Sequence, residues 1–194
     1  MVEFIEDGHI YLIDGVIVPS VTQILQKVFP EKYEGIPKEV LNAKAVYGTD
    51  VHKYIEIINK KKPKRPLAYI KRYCHPDMYQ EESIRQYLEI LQEYNIEILE
   101  SEKIVSYENL YGGTLDIKAK VNGKLAIIDI KTTSELDKEW VSWQNSYYEL
   151  ADEPVEALYV LWLPKGHLGR LEKVERVDKE RLLSYAKGFR RCNL

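Results

Sequence analysis

Two aspartates and a lysine occupy positions that β-structure would bring together. Asp116 lies in Gly113-Thr114-Leu115-Asp116-Ile117-Lys118-Ala119-Lys120-Val121. Its alternation predicts a strand with Leu115, Ile117, Ala119 and Val121 on one face and Thr114, Asp116, Lys118 and Lys120 on the other. Asp129 and Lys131 lie in Leu125-Ala126-Ile127-Ile128-Asp129-Ile130-Lys131, a nearly continuous apolar run expected of a central strand covered on both faces. Asn122-Gly123 is a tight-turn signal joining the two strands, so the strand of Asp116 sits beside that of Asp129. A carboxylate in a central strand is expensive unless something pairs with it. Two carboxylates near each other repel and call for a cation between them. Lys131 supplies part of that charge in a half-buried salt bridge. A divalent cation would satisfy both acids better, and hard oxygen ligands suit Mg²⁺ or Mn²⁺.

The elements that must position these groups are legible from periodicity. His9 to Ile13 and Val16 to Val18 read as a hairpin around Asp14-Gly15. Ser20 with Gln23 has capping-box spacing and opens a helix that ends near Phe29-Pro30. A second helix starts around Pro37 and is interrupted at Gly48-Thr49. In its continuation Val51, Ile55 and Ile58 share the core face, and His52 and Glu56 lie four apart on an adjacent stripe. Residues 60 to 66 form a basic, proline-broken loop, and Gln80 to Tyr94 is helical. Ile96 to Tyr107, Leu110 to Val121 and Lys124 to Lys131 are three consecutive strands. A helix over Lys138 to Ala151, strands over Val155 to Leu163 and Arg170 to Arg176, and a helix over Lys179 to Phe189 complete the chain. The pattern is a mixed α/β core with helices covering the sheet.

Composition narrows the class. The 194 residues are 45% apolar and 30% charged, a globular balance that argues against disorder. Twenty-eight basic residues against 31 acidic ones give a formal charge of −3, which excludes a protein that coats nucleic acid over its whole surface. Two cysteines, Cys74 and Cys192, exclude a disulfide framework and a four-cysteine zinc or iron–sulfur site within one chain. The acidic N-terminal residues lack a signal-peptide apolar core, and no run approaches a membrane span. The expected location is the cytoplasm, that of a bacterial host if the gene is phage-derived, with no membrane partner. No Gly-x-x-x-x-Gly-Lys-Ser/Thr loop occurs, so any motor would be another chain.

An Asp followed thirteen positions later by Asp-x-Lys at the end of a buried strand resembles the catalytic signature of the PD-(D/E)XK nuclease superfamily, and within it the RecB-like, phage-type exonuclease branch. Pro19-Ser20-Val21-Thr22-Gln23-Ile24-Leu25 is similar to that branch's first helix. Gly48-Thr49-Asp50-Val51-His52-Lys53-Tyr54-Ile55-Glu56 is similar to its Gly-Thr-x-x-His-x-x-x-Glu helix. Glu102-Lys103 ahead of Gly112-Gly113-Thr114-Leu115-Asp116, and Gln144-Asn145-Ser146-Tyr147-Tyr148 as Gln-x-x-x-Tyr, follow in order. The likeness runs from about Val18 to Tyr148; no proline precedes the first acid.

The resemblance implies a restriction-endonuclease-like core, a mixed central sheet flanked by helices. The whole chain, 1–194, would be one nuclease domain, with the hairpin and first helices in 1–95 and the catalytic sheet in 96–194. It implies that Asp116, Asp129 and the backbone carbonyl of Ile130 bind Mg²⁺ or Mn²⁺, that His52 is a further ligand, and that Lys131 orients or activates the attacking water. A surface role is the commoner fate of a histidine such as His52. Gln144 and Tyr148, four apart on one helix face, would hold a phosphate or terminal nucleotide. Glu56 and Glu102 stand as supports for the ligands, or as exposed partners of nearby lysines. Lys60, Lys61, Lys62, Lys64 and Arg65 would clamp DNA through phosphate contacts. The implied activity is metal-dependent hydrolysis of DNA phosphodiesters by an exonuclease acting in recombination, repair or end processing. Its partners would be DNA, a recombinase or single-strand annealing protein, and further copies of itself. The alternative is a nucleic-acid-binding module of the same fold without catalysis.

Overall fold

The computed structural model describes residues 2–5, 7–35 and 37–192. The hairpin signal at Asp14-Gly15 is realised with left-handed backbone at both residues, φ 50° and 79°. It joins β2 (Ile10–Ile13) to β3 (Val16–Val18). The sequence pattern does not announce β1 (Val2–Ile5), which pairs antiparallel with β2 and makes a three-stranded sheet. Ser20 caps α1 (Val21–Val28) through the full capping box with Gln23, an arrangement worth about 1 kcal/mol.

The second helix differs from expectation. α2 runs unbroken over Lys38–Lys61. Gly48 carries the usual helix penalty of about 1 kcal/mol, but Tyr47, Val51, Tyr54, Ile55 and Ile58 bury a stripe that holds both halves in one helix. Gly48 also faces Thr132, whose Oγ1 would lie 2.9 Å from an added Cβ. The basic segment is shorter than a full loop, because Lys60 and Lys61 close α2 and α3 (Pro66–Cys74) follows directly. α4 (Met78–Glu93) is capped by Asp77 and Gln80.

The large sheet has five strands in the order β4 (Ile96–Tyr107), β5 (Tyr111–Val121), β6 (Lys124–Lys131), β7 (Ala157–Trp162) and β8 (Arg170–Val174). β6 is central. It is antiparallel to β5 across Asn122-Gly123, and parallel to β7 after the crossover helix α5 (Lys138–Ala151). The result is a mixed α/β fold. On one face α1, α5 and α6 (Lys179–Cys192) enclose Val21, Ile127, Trp143, Tyr147 and Leu158; on the other α2, α3 and α4 enclose Ile55, Ile70, Tyr87, Ile128 and Ile130. Trp140, Trp143 and Tyr147 are core, as their stripe predicts. No described helix is long and apolar enough to cross a membrane.

The alternation of β5 is broken at Asp116. Ile117 and Ala119 pack on the α2 side as expected, but Leu115 joins the core on the α5 side. The cause lies on β4. Lys103 pairs with Leu115 and Ser101 with Ile117, while Glu102 between them adopts left-handed backbone, φ 53°, and makes no ladder pair. Such a conformation in a glutamate costs on the order of 1–3 kcal/mol.

Candidate metal centre and cleft

A cleft of about 590 Å³ opens at this break. β1, β2 and the turn between them supply Phe4, Tyr11 and His9; α2 supplies His52, Lys53 and Glu56; β4 and β5 supply Glu102, Thr114 and Asp116; α5 supplies Gln144 and Tyr148. Gly112 and Gly113 neither bulge nor expose backbone: they admit neighbours. A Cβ on Gly112 would lie 2.8 Å from the Tyr11 ring, and one on Gly113 2.7 Å from Tyr148.

Three ligand atoms converge here. One each from His52, Glu102 and Asp116 lie within 4.8 Å of one another. Two carboxylates and an imidazole nitrogen are ligand types that could hold a divalent metal ion. Glu102, expected only as a support, therefore stands in the donor set, carried there by the left-handed backbone that no local sequence pattern signals. Asp129 is not among the three. It is 1% exposed, its Oδ2 sits 2.7 Å from Lys131 Nζ, and its Oδ1 takes no hydrogen bond from the described residues.

Asp116 is held rigidly, since its Oδ2 accepts the Ile130 backbone N–H at 2.7 Å. The Ile130 carbonyl lies 3.1 Å from His52 Nε2. A carbonyl only accepts, so Nε2 carries the proton and Nδ1 keeps its lone pair, 3.8 Å from Asp116 Oδ2. The carbonyl expected to bind metal is thus engaged by the histidine expected to bind beside it. Burial, with help from Lys131, pushes the His52 pKa down to about 4, so the ring is neutral at physiological pH and able to ligate.

The acids are under electrostatic pressure. Burial, then Asp116 and Glu56, pushes Glu102 up to about 8, against the pull of Lys60. Burial raises Asp129 to about 6 despite Lys131, with Asp116 adding to the rise. Burial also raises Asp116, although Lys131 and the Ile130 amide oppose it. Three carboxyls that resist ionisation around one point form the setting a cation would relieve.

Gln144 organises the other side. Its Oε1 accepts from Lys131 Nζ at 3.1 Å and from Trp140 Nε1 at 3.2 Å, and its Nε2 donates to the Tyr148 hydroxyl at 3.0 Å. The helix spacing of Gln144 and Tyr148 thus brings them together, and Gln144 reaches Lys131. The basic segment is placed differently. Lys60 pairs with Glu56 at 2.6 Å, Lys61 donates to the Tyr69 hydroxyl, and none of Lys60, Lys61, Lys62, Lys64 and Arg65 lines the cleft. The aromatic wall of Phe4, His9 and Tyr11 is absent from the sequence reading. Tyr11 crosses 103 positions to bond Thr114 Oγ1 at 2.8 Å, a contact that no local period encodes.

No protein-family model matches the chain, and no curated protein does. Among solved structures, the crystal structure of SSO0001 is similar over 75% of each chain at 16% identity, with a TM-score of 0.37. That degree of likeness carries no argument about fold or activity.

Proposed function

We propose that this chain is a divalent-metal-dependent deoxyribonuclease with a PD-(D/E)XK core, an exonuclease of phage or prophage type. The observation that carries the reading is the meeting of His52, Glu102 and Asp116 donor atoms within 4.8 Å in one cleft, with the Asp129–Lys131 ion pair on the central strand β6. The five-stranded mixed sheet, with Asp129 and Lys131 on its central strand, is compatible with such a core.

In this reading His52, Glu102 and Asp116 hold Mg²⁺ or Mn²⁺, and the orphaned oxygen of Asp129 is the further acceptor nearest to them in the sequence pattern. The bound cation would lower the pKa of a coordinated water and neutralise charge that builds on the phosphoryl oxygens. Lys131 adds a fixed ammonium for the same developing charge. Gln144 and Asp129 together hold that ammonium in place. Ile130 aims Asp116 by its N–H and His52 by its carbonyl, so two groups of the site hang on the backbone of one residue. On the resemblance, the reaction belongs to recombination, repair or DNA-end processing, with a recombinase or annealing protein as partner.

The test is digestion of end-labelled linear and closed circular DNA with Mg²⁺ or Mn²⁺. Cleavage of linear DNA that vanishes in Asp116→Ala and Lys131→Ala supports the proposal. Cutting of circles would replace exonuclease by endonuclease. Activity that survives both substitutions rejects the site, and tight DNA binding without cleavage favours the binding module.

A further inference from the structure

One wall of the cleft is built from rings that the chemistry above does not use. Phe4, His9 and Tyr11 form a single cluster, with centroids 5.0 Å apart for Phe4–His9, 4.8 Å for Phe4–Tyr11 and 5.4 Å for His9–Tyr11. Tyr11 is 1% exposed and anchored to Thr114. Above it Phe4 is half-buried and His9 exposed, and all three line the cleft.

Two further features shape this wall. His9 takes left-handed backbone, φ 53°, after Gly8 at φ 84°, a conformation histidine adopts more readily than most residues, and its ring stands edge-on to both neighbours. The lining also carries more carboxylates than cations, with Glu56, Glu102 and Asp116 against Lys53. Lysine contacts to phosphate from the lining are therefore few, and uncharged surface has a share of the affinity to supply. The anchor residue Thr114 lies two residues along β5 from Asp116, about 7 Å. The sugar of one nucleotide spans a gap of that order.

We infer that Phe4 and His9, backed by Tyr11, form a stacking shelf for an unpaired nucleobase beside the scissile phosphate, so that the site takes single-stranded or frayed DNA ends rather than intact duplex. The inference rests on the nuclease reading. Aromatic stacking is tolerant of sequence because every base has a π-face. In an intact duplex the internal bases are already stacked on both faces, and only an unpaired or terminal base offers its own.

The test is fluorescence anisotropy on the full chain with Ca²⁺ present. Three labelled probes are compared: a single strand, a blunt duplex of the same sequence, and the single strand with abasic sites near its ends. The single strand binds about tenfold or more tighter than either other probe, from the usual size of one base–aromatic stack. His9→Asn, which tolerates left-handed backbone, and Phe4→Leu, which keeps apolar packing, each weaken single-strand binding about tenfold and leave abasic binding unchanged. Equal affinity for all three probes, or no binding of any, overturns the shelf. If Phe4→Leu unfolds the first sheet, the abasic probe still decides, because it alters only the DNA. Cleavage with Mg²⁺ is scored separately. Base-independent binding with metal-dependent cleavage overturns the shelf alone, whereas base-dependent binding without cleavage keeps the shelf and overturns the nuclease reading.

Discussion

The side chain of Asp116 bonds the backbone of Ile130, Oδ2 to N–H at 2.7 Å, just past the last ladder pair of the hairpin, Ile117 with Ile128. Where the β5–β6 backbone ladder ends, a carboxylate continues it. The carboxylate is thereby built into the sheet instead of projecting from it.

Asp116→Asn keeps the size of that side chain and removes its charge. Metal-dependent cleavage of end-labelled DNA should fall about a hundredfold or more, since even groups that only orient metal ligands are worth 10–100-fold. Calorimetry should show weaker Mn²⁺ binding. The melting temperature in EDTA should hold or rise, because burial already disfavours the ionised Asp116.

Glu102 sets a pH dependence in metal-free protein. Its folded pKa, about 8, lies above the ordinary 4.5. Between those values the folded state binds more protons than the unfolded one, so stability falls as pH rises through that window. Thermal melts in EDTA should decline from about pH 6.5 toward pH 8, and Glu102→Gln should flatten that slope. At lower pH the decline from Asp129, raised to about 6, is opposed by His52, lowered to about 4, so the curve should be flatter there. A melt that rises monotonically over the whole window would contradict these assignments.

Gln144→Ala removes one acceptor from Lys131 and Trp140 and one donor from Tyr148. Urea unfolding should show a loss of about 1–3 kcal/mol, the cost of buried polar groups left unpaired. Cleavage should fall by more than the stability loss explains, because Lys131 is no longer steered.

Lys118 tests the frame. Its ammonium, 6% exposed, bonds Asp152 at 2.6 Å and also Glu153, tying β5 to the end of α5. Lys118→Met should lose about 1–3 kcal/mol in urea, less than a fully broken buried pair because Lys103 still holds Asp152 at 2.7 Å. Burial would raise the Asp152 carboxyl, but the hydrogen bonds from Lys103 and Lys118 outweigh it and hold it below its usual value. That stabilisation is present above the ordinary carboxylate pKa and is lost as pH falls. The gap between wild type and variant should therefore shrink in acid.

Long periodic segments were legible in the residues: α5 is Lys138–Ala151 as its stripe predicts, and the run with Asp129 is the central strand. Short or interrupted ones were not. β1 has four residues, and α3 hides behind a basic, proline-flanked run. The candidate site divides in the same way. Local period brings Gln144 to Tyr148 and the tight turn brings Asp116 to the end of the Asp129 strand. Glu102 depends on a backbone kink, and the Tyr11 wall on a contact across 103 positions.

Gly112 and Gly113 give the cleft its width. Each lacks the one carbon that would collide with an opposing tyrosine, Tyr11 on one side and Tyr148 on the other. A single methyl at either position would act as a spacer and prise one flank outward without touching an ionisable group. Cleft width and the cluster of ligand groups are therefore separately adjustable in this molecule, the first through two hydrogens on β5 and the second through the acids beside them.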